Sequence, residues 1–376
     1  MKIGKTIGIG CFHFGIKIQI PFKFTGQEYI KELEKCLERI PNIENLQIET
    51  SESFIGASEE ITQSLPELNK NGYFPSLGYY AQISFNIHLP YKIQADLSKT
   101  NEKYLNTFTE NFLIIIVYSW HFPVAIVEPI NPSDRSDASK AVSIIWKFLK
   151  NEINNKSKEN FIKFEMLGPS PFHLDINILP IPSKNTKNKR IVNTEYHSRR
   201  GYDLMFLYYD TSILGNPDAA LSYIFYSLVD EFGLYYKYQQ IKVKRALDWN
   251  EIQHLIKRFK NIKELNFFRR MLFRLFQKSS IISDITNKII DFESGHLLDN
   301  NYLNREIAEQ YREEDYYFKE PIEKELFDDY DYPVSQTKEL LKFIESRRVK
   351  SLELMIGLIS AFIGGAIGAI LTILLQ

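Results

Sequence analysis

Glu165, His173 and Asp175 are the residues whose types and spacing come nearest to a catalytic set. They fall in the run EMLGPSPFHLD, where Gly168-Pro169-Ser170-Pro171 predicts a rigid turn after a strand. Period-two alternation then puts His173 and Asp175 on one face of the next strand, with Glu165 across the turn. One imidazole and two carboxylates so placed could hold a metal or pass protons, the chemistry of a hydrolase or nuclease. The same pattern describes the polar outward positions of an edge strand. A nuclease would also need a further Lys or a second Asp in register, which the sequence does not place.

A second cluster, KNTKNKRIVNTEYHSRR, carries Lys184, Lys187, Lys189, Arg190, Arg199 and Arg200 with Tyr196 and His197. It reads as a basic loop between strands. Cations interleaved with aromatic rings suit a phosphate-bearing ligand, a nucleotide or short oligonucleotide. A merely solvated loop has the same composition. Nucleophile elbows, phosphate-binding loops and zinc spacings are absent. Gly8, Gly10 and Gly15 do not match a dinucleotide fingerprint, and a bulged strand is expected there. No cofactor and no metal are implied, and the balance is against an enzyme.

The elements that would position these clusters are legible in outline. Residues 7–24 alternate and are rich in Ile and Phe, as a strand requires. A helix is predicted over 27–39, closed by Pro41-Asn42. Strands are expected near 46–49 and over 79–89. The run Phe112 to Val127 predicts a buried central strand turning into a second. A helix over 137–151 and strands within 161–181 and 202–209 complete an α+β domain over 1–212, with one mostly antiparallel sheet. Helical spacing dominates after Gly215-Asn216-Pro217, so 213–350 reads as a helical stalk domain. That stalk is basic over 242–278 and acidic over 291–331. Such blocks suggest two helices of opposite sign packing together, or a basic face turned to anionic lipid.

The chain has 376 residues, a net charge of −1 and two cysteines. Bulk attraction to nucleic acid and a disulfide framework are therefore not expected. The decisive stretch is 351–376. From Leu354 it carries no charge for about 22 residues, roughly 33 Å of helix, enough to cross a hydrocarbon core. Gly357, Ala361, Gly365 and Ala369 recur every four residues, as do Ser360, Gly364, Gly368 and Thr372. Two adjacent small-residue stripes let one helix pack against neighbours on both sides, as a closed ring needs. Lys342, Arg347, Arg348 and Lys350 precede the span. The positive-inside rule then predicts a single-pass protein of the inner membrane with its N-terminal domains in the cytoplasm.

In layout, with a sheet domain, the basic loop Lys184–Arg200 and the anchor SAFIGGAIGAILTILL, the chain resembles bacterial antiphage effectors that join a cytoplasmic sensor to a membrane helix. The channel effectors of Hailong-type systems, gated by a short nucleotide polymer, are similar in plan. Magnesium channels of the CorA type share the order of parts, but they carry two spans and a Gly-Met-Asn signature that this chain lacks. The resemblance implies a self-associating effector in antiviral defence, a ligand-gated pore or a membrane-disrupting protein. Its expected partners are the bilayer, copies of itself, a nucleotide signal and a protein from the same operon. The alternative is a membrane-tethered hydrolase or nuclease using Glu165, His173 and Asp175.

Overall fold

A computed structural model describes residues 4–16, 23–24, 26–50, 61–62, 81–105, 107–118, 123–133, 137–156, 162–166, 172–181, 191–198, 203–260, 278–310, 316–326, 332–346, 350 and six isolated positions between 353 and 363. Its strands are β1 (Lys5–Gly10), β2 (Phe12–Ile16), β3 (Lys23–Phe24), β4 (Ile43–Thr50), β5 (Ile61–Thr62), β6 (Ala81–His88), β7 (Asn111–Tyr118), β8 (Pro123–Pro129), β9 (Ile162–Met166), β10 (Leu174–Pro180), β11 (Val192–His197) and β12 (Asp203–Tyr209). Its α-helices of eight residues or more are α1 (Gly26–Glu38), α2 (Tyr91–Ser98), α3 (Ala138–Lys150), α4 (Pro217–Lys260), α5 (Lys278–Gln310), α6 (Lys319–Leu326) and α7 over residues 334–346.

Eight strands form one sheet in the order β11-β12-β10-β1-β8-β7-β6-β4. Each neighbouring pair runs antiparallel except β10 and β12. The fold is therefore α+β, with a large and mostly antiparallel sheet. The alternating run expected over 7–24 divides after Gly10. Cys11 ends β1, and β2 pairs with β9 in a separate two-stranded sheet.

Strand alternation sorts the core onto two faces. On one face Phe85, Ile114, Ala125 and Val127 pack under α1 and α3. On the other, Ile9, Ile126, Ile176, Met205 and Leu207 pack under the first half of α4 and under Phe318 and Ile322. Gly8 lies on the α3 face, paired with Val127 on one side and Asp175 on the other. A Cβ at Gly8 would meet the carbonyl group of Ala138, so the missing side chain is what lets the start of α3 settle onto the sheet.

The chain divides into two compact units, residues 1–244 with 301–328 and residues 245–300 with 329–376. In the second, Trp249, Ile252, Ile285, Ile289 and Phe292 form an apolar seam closed by Leu341 and Tyr332. The helices expected over 218–232 and from Trp249 are one continuous helix, α4. Its packing on α5 combines this seam with buried Arg245, which donates to Asn300 Oδ1 at 2.7 Å. A cross-helix ion pair, Lys288–Glu251 at 2.5 Å, joins a cation of α5 to an acid of α4.

Among the described residues no helix is long and apolar enough to cross a membrane. The expected span falls almost wholly outside them. Gly357, Ser360 and Ala361 are described, helical and exposed, whereas Gly364, Gly365, Gly368, Ala369 and Thr372 lie outside the described residues.

Candidate functional site

The sheet ends in a hairpin. Strand β11 is the edge, and Tyr196 sits opposite Met205 while Thr194 sits opposite Leu207. These residues share the face that α4 covers further in. Toward the edge the covering element changes to residues 316–326, the short helix α6 and the residues that lead into it. Between this segment and the hairpin lies a cavity of about 230 Å³. Thr194, Tyr196 and Met205 line it from the sheet, and Tyr316, Tyr317 and the first turn of α6 line it from above. Three tyrosines offer ring faces for stacking and hydroxyls for hydrogen bonds. Lys319 stands at the cavity, 3.7 Å from Glu323.

Two ties hold the segment down. The first is Glu231 of α4, fully buried, whose carboxyl oxygens accept from the backbone N–H groups of Tyr317 at 3.1 Å and Phe318 at 3.0 Å. These donors lie just ahead of α6, where a helix leaves its first N–H groups without intrahelical partners. Burial pushes the Glu231 carboxyl up to about 8 against the opposing pull of the two N–H groups. The second tie is Lys324. Its ammonium donates to Asp203 Oδ2 at 2.7 Å, Ser198 Oγ at 2.8 Å and Tyr196 Oη at 3.3 Å. Asp203 Oδ2 also accepts from the Tyr196 hydroxyl. All three N–H bonds of the ammonium are thus directed at the end of the hairpin where β11 leads to β12. The bond to Asp203 is the main cause holding the Lys324 ammonium above its ordinary value.

Of the basic and aromatic cluster read from sequence, Tyr196 lines the cavity. His197 points to the opposite face, 2.9 Å from Glu195 and edge-on to Phe206. Lys184, Lys187, Lys189, Arg190, Arg199 and Arg200 lie outside the described residues.

Glu165, His173 and Asp175 are not drawn into one metal site. Among the described residues no group of three His, Cys, Asp or Glu side chains could hold a metal ion. Glu165 lies on β9 in the small sheet, opposite His13 and ion-paired with Lys163. His173 is exposed, just ahead of β10. Asp175 is buried on the α3 face, where its Oδ1 accepts from the backbone N–H of Ser139 at 2.7 Å and from its hydroxyl at 2.6 Å. Burial raises the Asp175 carboxyl and the Ser139 bonds pull it back down. This carboxylate fastens the first turn of α3 to the sheet, where the helix dipole favours negative charge. Replacing Asp175 by alanine should lower stability by roughly 2 kcal/mol, read from the urea midpoint.

Four residues that matter here carry no signal in the sequence. Lys324 and Glu231 sit among other charged helix positions, Asp203 looks like a turn residue, and Tyr317 looks like part of an acidic linker. Only the pairing of segments more than a hundred residues apart exposes Lys324 and Asp203 as partners. Compared with known proteins, the chain matches no family model, no curated sequence and no solved structure.

Proposed function

We propose that this protein is a membrane-anchored, self-associating effector whose sheet unit senses a ligand and whose C-terminal segment opens or disrupts a bilayer. The observation that carries the reading is the charge-free segment 354–375 with its two stripes of small residues. The cavity at the sheet edge supports a sensing role. It is a concave site lined by tyrosine rings, and one of them, Tyr196, belongs to the stretch whose cations and aromatics suit a nucleotide or short oligonucleotide. In a bacterium such a device fits antiviral defence, with a second protein of the same operon supplying the signal. The contacts of Asp175 with Ser139 and of Glu165 with Lys163 support structural roles for these two carboxylates.

The test uses full-length protein reconstituted into dye-loaded vesicles of anionic lipid. The protein is expected to float with the vesicles and release dye. Joint replacement of Gly364, Gly365 and Gly368 by leucine should abolish release while leaving flotation intact, because bulky residues keep helices apart without lowering hydrophobicity. Protein that stays in the aqueous fraction, or a triple variant that still releases dye, overturns the proposal.

A further inference from the structure

We propose that residues 316–326 form a strap that opens and closes the cavity at the sheet edge, with Glu231 as its fixed end and Lys324 as the tie that a phosphate-bearing ligand releases. This deepens the sensing role proposed above by naming how the site is regulated.

The strap cannot hold its own shape. Helix α6 has eight residues, too few to be stable in water without docking. Its place on the sheet draws on the Glu231 clamp, the Lys324 tie, and the apolar side chains of Tyr317, Phe318 and Ile322 in the core under it.

These fastenings differ in accessibility. The Glu231 carboxyl is shut off from solvent and binds backbone groups, for which a dissolved ligand offers no substitute. The Lys324 side chain is 46% exposed and binds a carboxylate, a hydroxyl and a phenol. An incoming phosphate offers the same ammonium a more highly charged acceptor. Taking Lys324 from Asp203 loosens the far end of α6, and opening it further exposes the Ile322 side chain. Local opening on that scale lies well below global unfolding.

Position 205 reports the opening. Met205 lines the cavity and is 1% exposed, and both native thiols, Cys11 and Cys36, are buried. Full-length protein carrying Met205→Cys is labelled in detergent with a thiol reagent, and Cys11 serves as the internal gauge of global unfolding. Lys324→Met should raise the labelling rate at position 205 by about five-fold or more without changing that of Cys11. Asp203→Asn should act in the same direction by a smaller factor. Sodium tripolyphosphate should speed labelling when Lys324 is present and leave the Lys324→Met rate unchanged. An unchanged rate in Lys324→Met, a tripolyphosphate effect that survives that substitution, or equal acceleration at Cys11 overturns the strap. If labelling behaves as expected while the unsubstituted protein releases no dye from vesicles, the strap stands and the effector reading falls.

Discussion

Replacement of Gly8 by valine is expected to prevent stable folding of the sheet unit. Gly8 faces α3, and a Cβ there would collide with the backbone carbonyl of Ala138 and lie 2.8 Å from Val142 Cγ2. The first of these is backbone and cannot be moved by a rotamer change. Relief requires lifting the start of α3 off the sheet, which also pulls Ser139 away from Asp175, the residue paired with Gly8. Overpacking of ordinary cores costs about 1–3 kcal/mol, and a clash with fixed backbone lies at or beyond the upper end. With the lost Asp175 bonds the sum approaches about 5 kcal/mol, comparable with the whole stability of many domains. Yield of monodisperse protein and the thermal midpoint measure it. Gly8→Ala should fall between wild type and Gly8→Val. Gly295→Ala is the counterpart, because a Cβ there meets nothing within 4 Å in the interior of α5. That change should be neutral or stabilising by up to about 1 kcal/mol.

Stability is also expected to fall as pH rises from about 6.5 to 8, and Glu231→Gln should flatten that slope. Burial lifts the folded-state Glu231 carboxyl from an ordinary 4.5 to about 8. Across that window the folded protein keeps a proton that the unfolded chain has lost, so stability declines with rising pH until the folded group ionises. His13 works in the opposite sense. Burial, reinforced by the charge of Lys163, lowers its imidazole from 6.5 to about 4. Between those values the unfolded chain holds the extra proton, so its contribution is present above 6.5 and is lost as pH falls toward 4. The two slopes cancel between about 4.5 and 6.5, so His13 no longer offsets the Glu231 slope above 6.5. One proton over that range amounts to about 2 kcal/mol. Urea midpoints at pH 6.5 and 8 test it. In Glu231→Gln the amide oxygen keeps one of the two N–H groups as its donor and there is no charge to bury, so the slope flattens although the other N–H loses its acceptor. Glu231→Ala leaves both N–H groups buried without an acceptor and should cost roughly 3 kcal/mol at pH 6.5 and less at pH 8, because the variant has no carboxyl to titrate. A wild-type midpoint that does not move between these pH values would mean that Glu231 is hydrated.

The elements themselves were largely readable from local pattern. Helices near 27–39 and 137–151, the strand near 79–89 and the pair of strands within 112–127 follow from periodicity, because an element's buried face repeats at its own period. The sheet was legible as mostly antiparallel, and the uncharged stretch after Leu354 is a property of composition alone. Two boundaries were not legible. The early alternating run divides at Cys11 because β2 finds a partner in β9, about 150 residues later. The helical signals over 218–232 and after Trp249 merge because nothing between them breaks a helix.

What the side chains do was decided by tertiary structure. Asp175 and Glu165 looked like one cluster because they are ten residues apart. Yet the two strands enter different sheets, and each carboxylate meets a different partner. Gly8 looked like a bulge and proved to be the point where a helix backbone meets the sheet. Lys324 and Asp203, anonymous in sequence, meet at the sheet edge. Local sequence determines conformation through short-range sterics and the period of hydrophobic burial. Which charges face each other depends on how distant strands pair, and no pattern confined to one segment carries that.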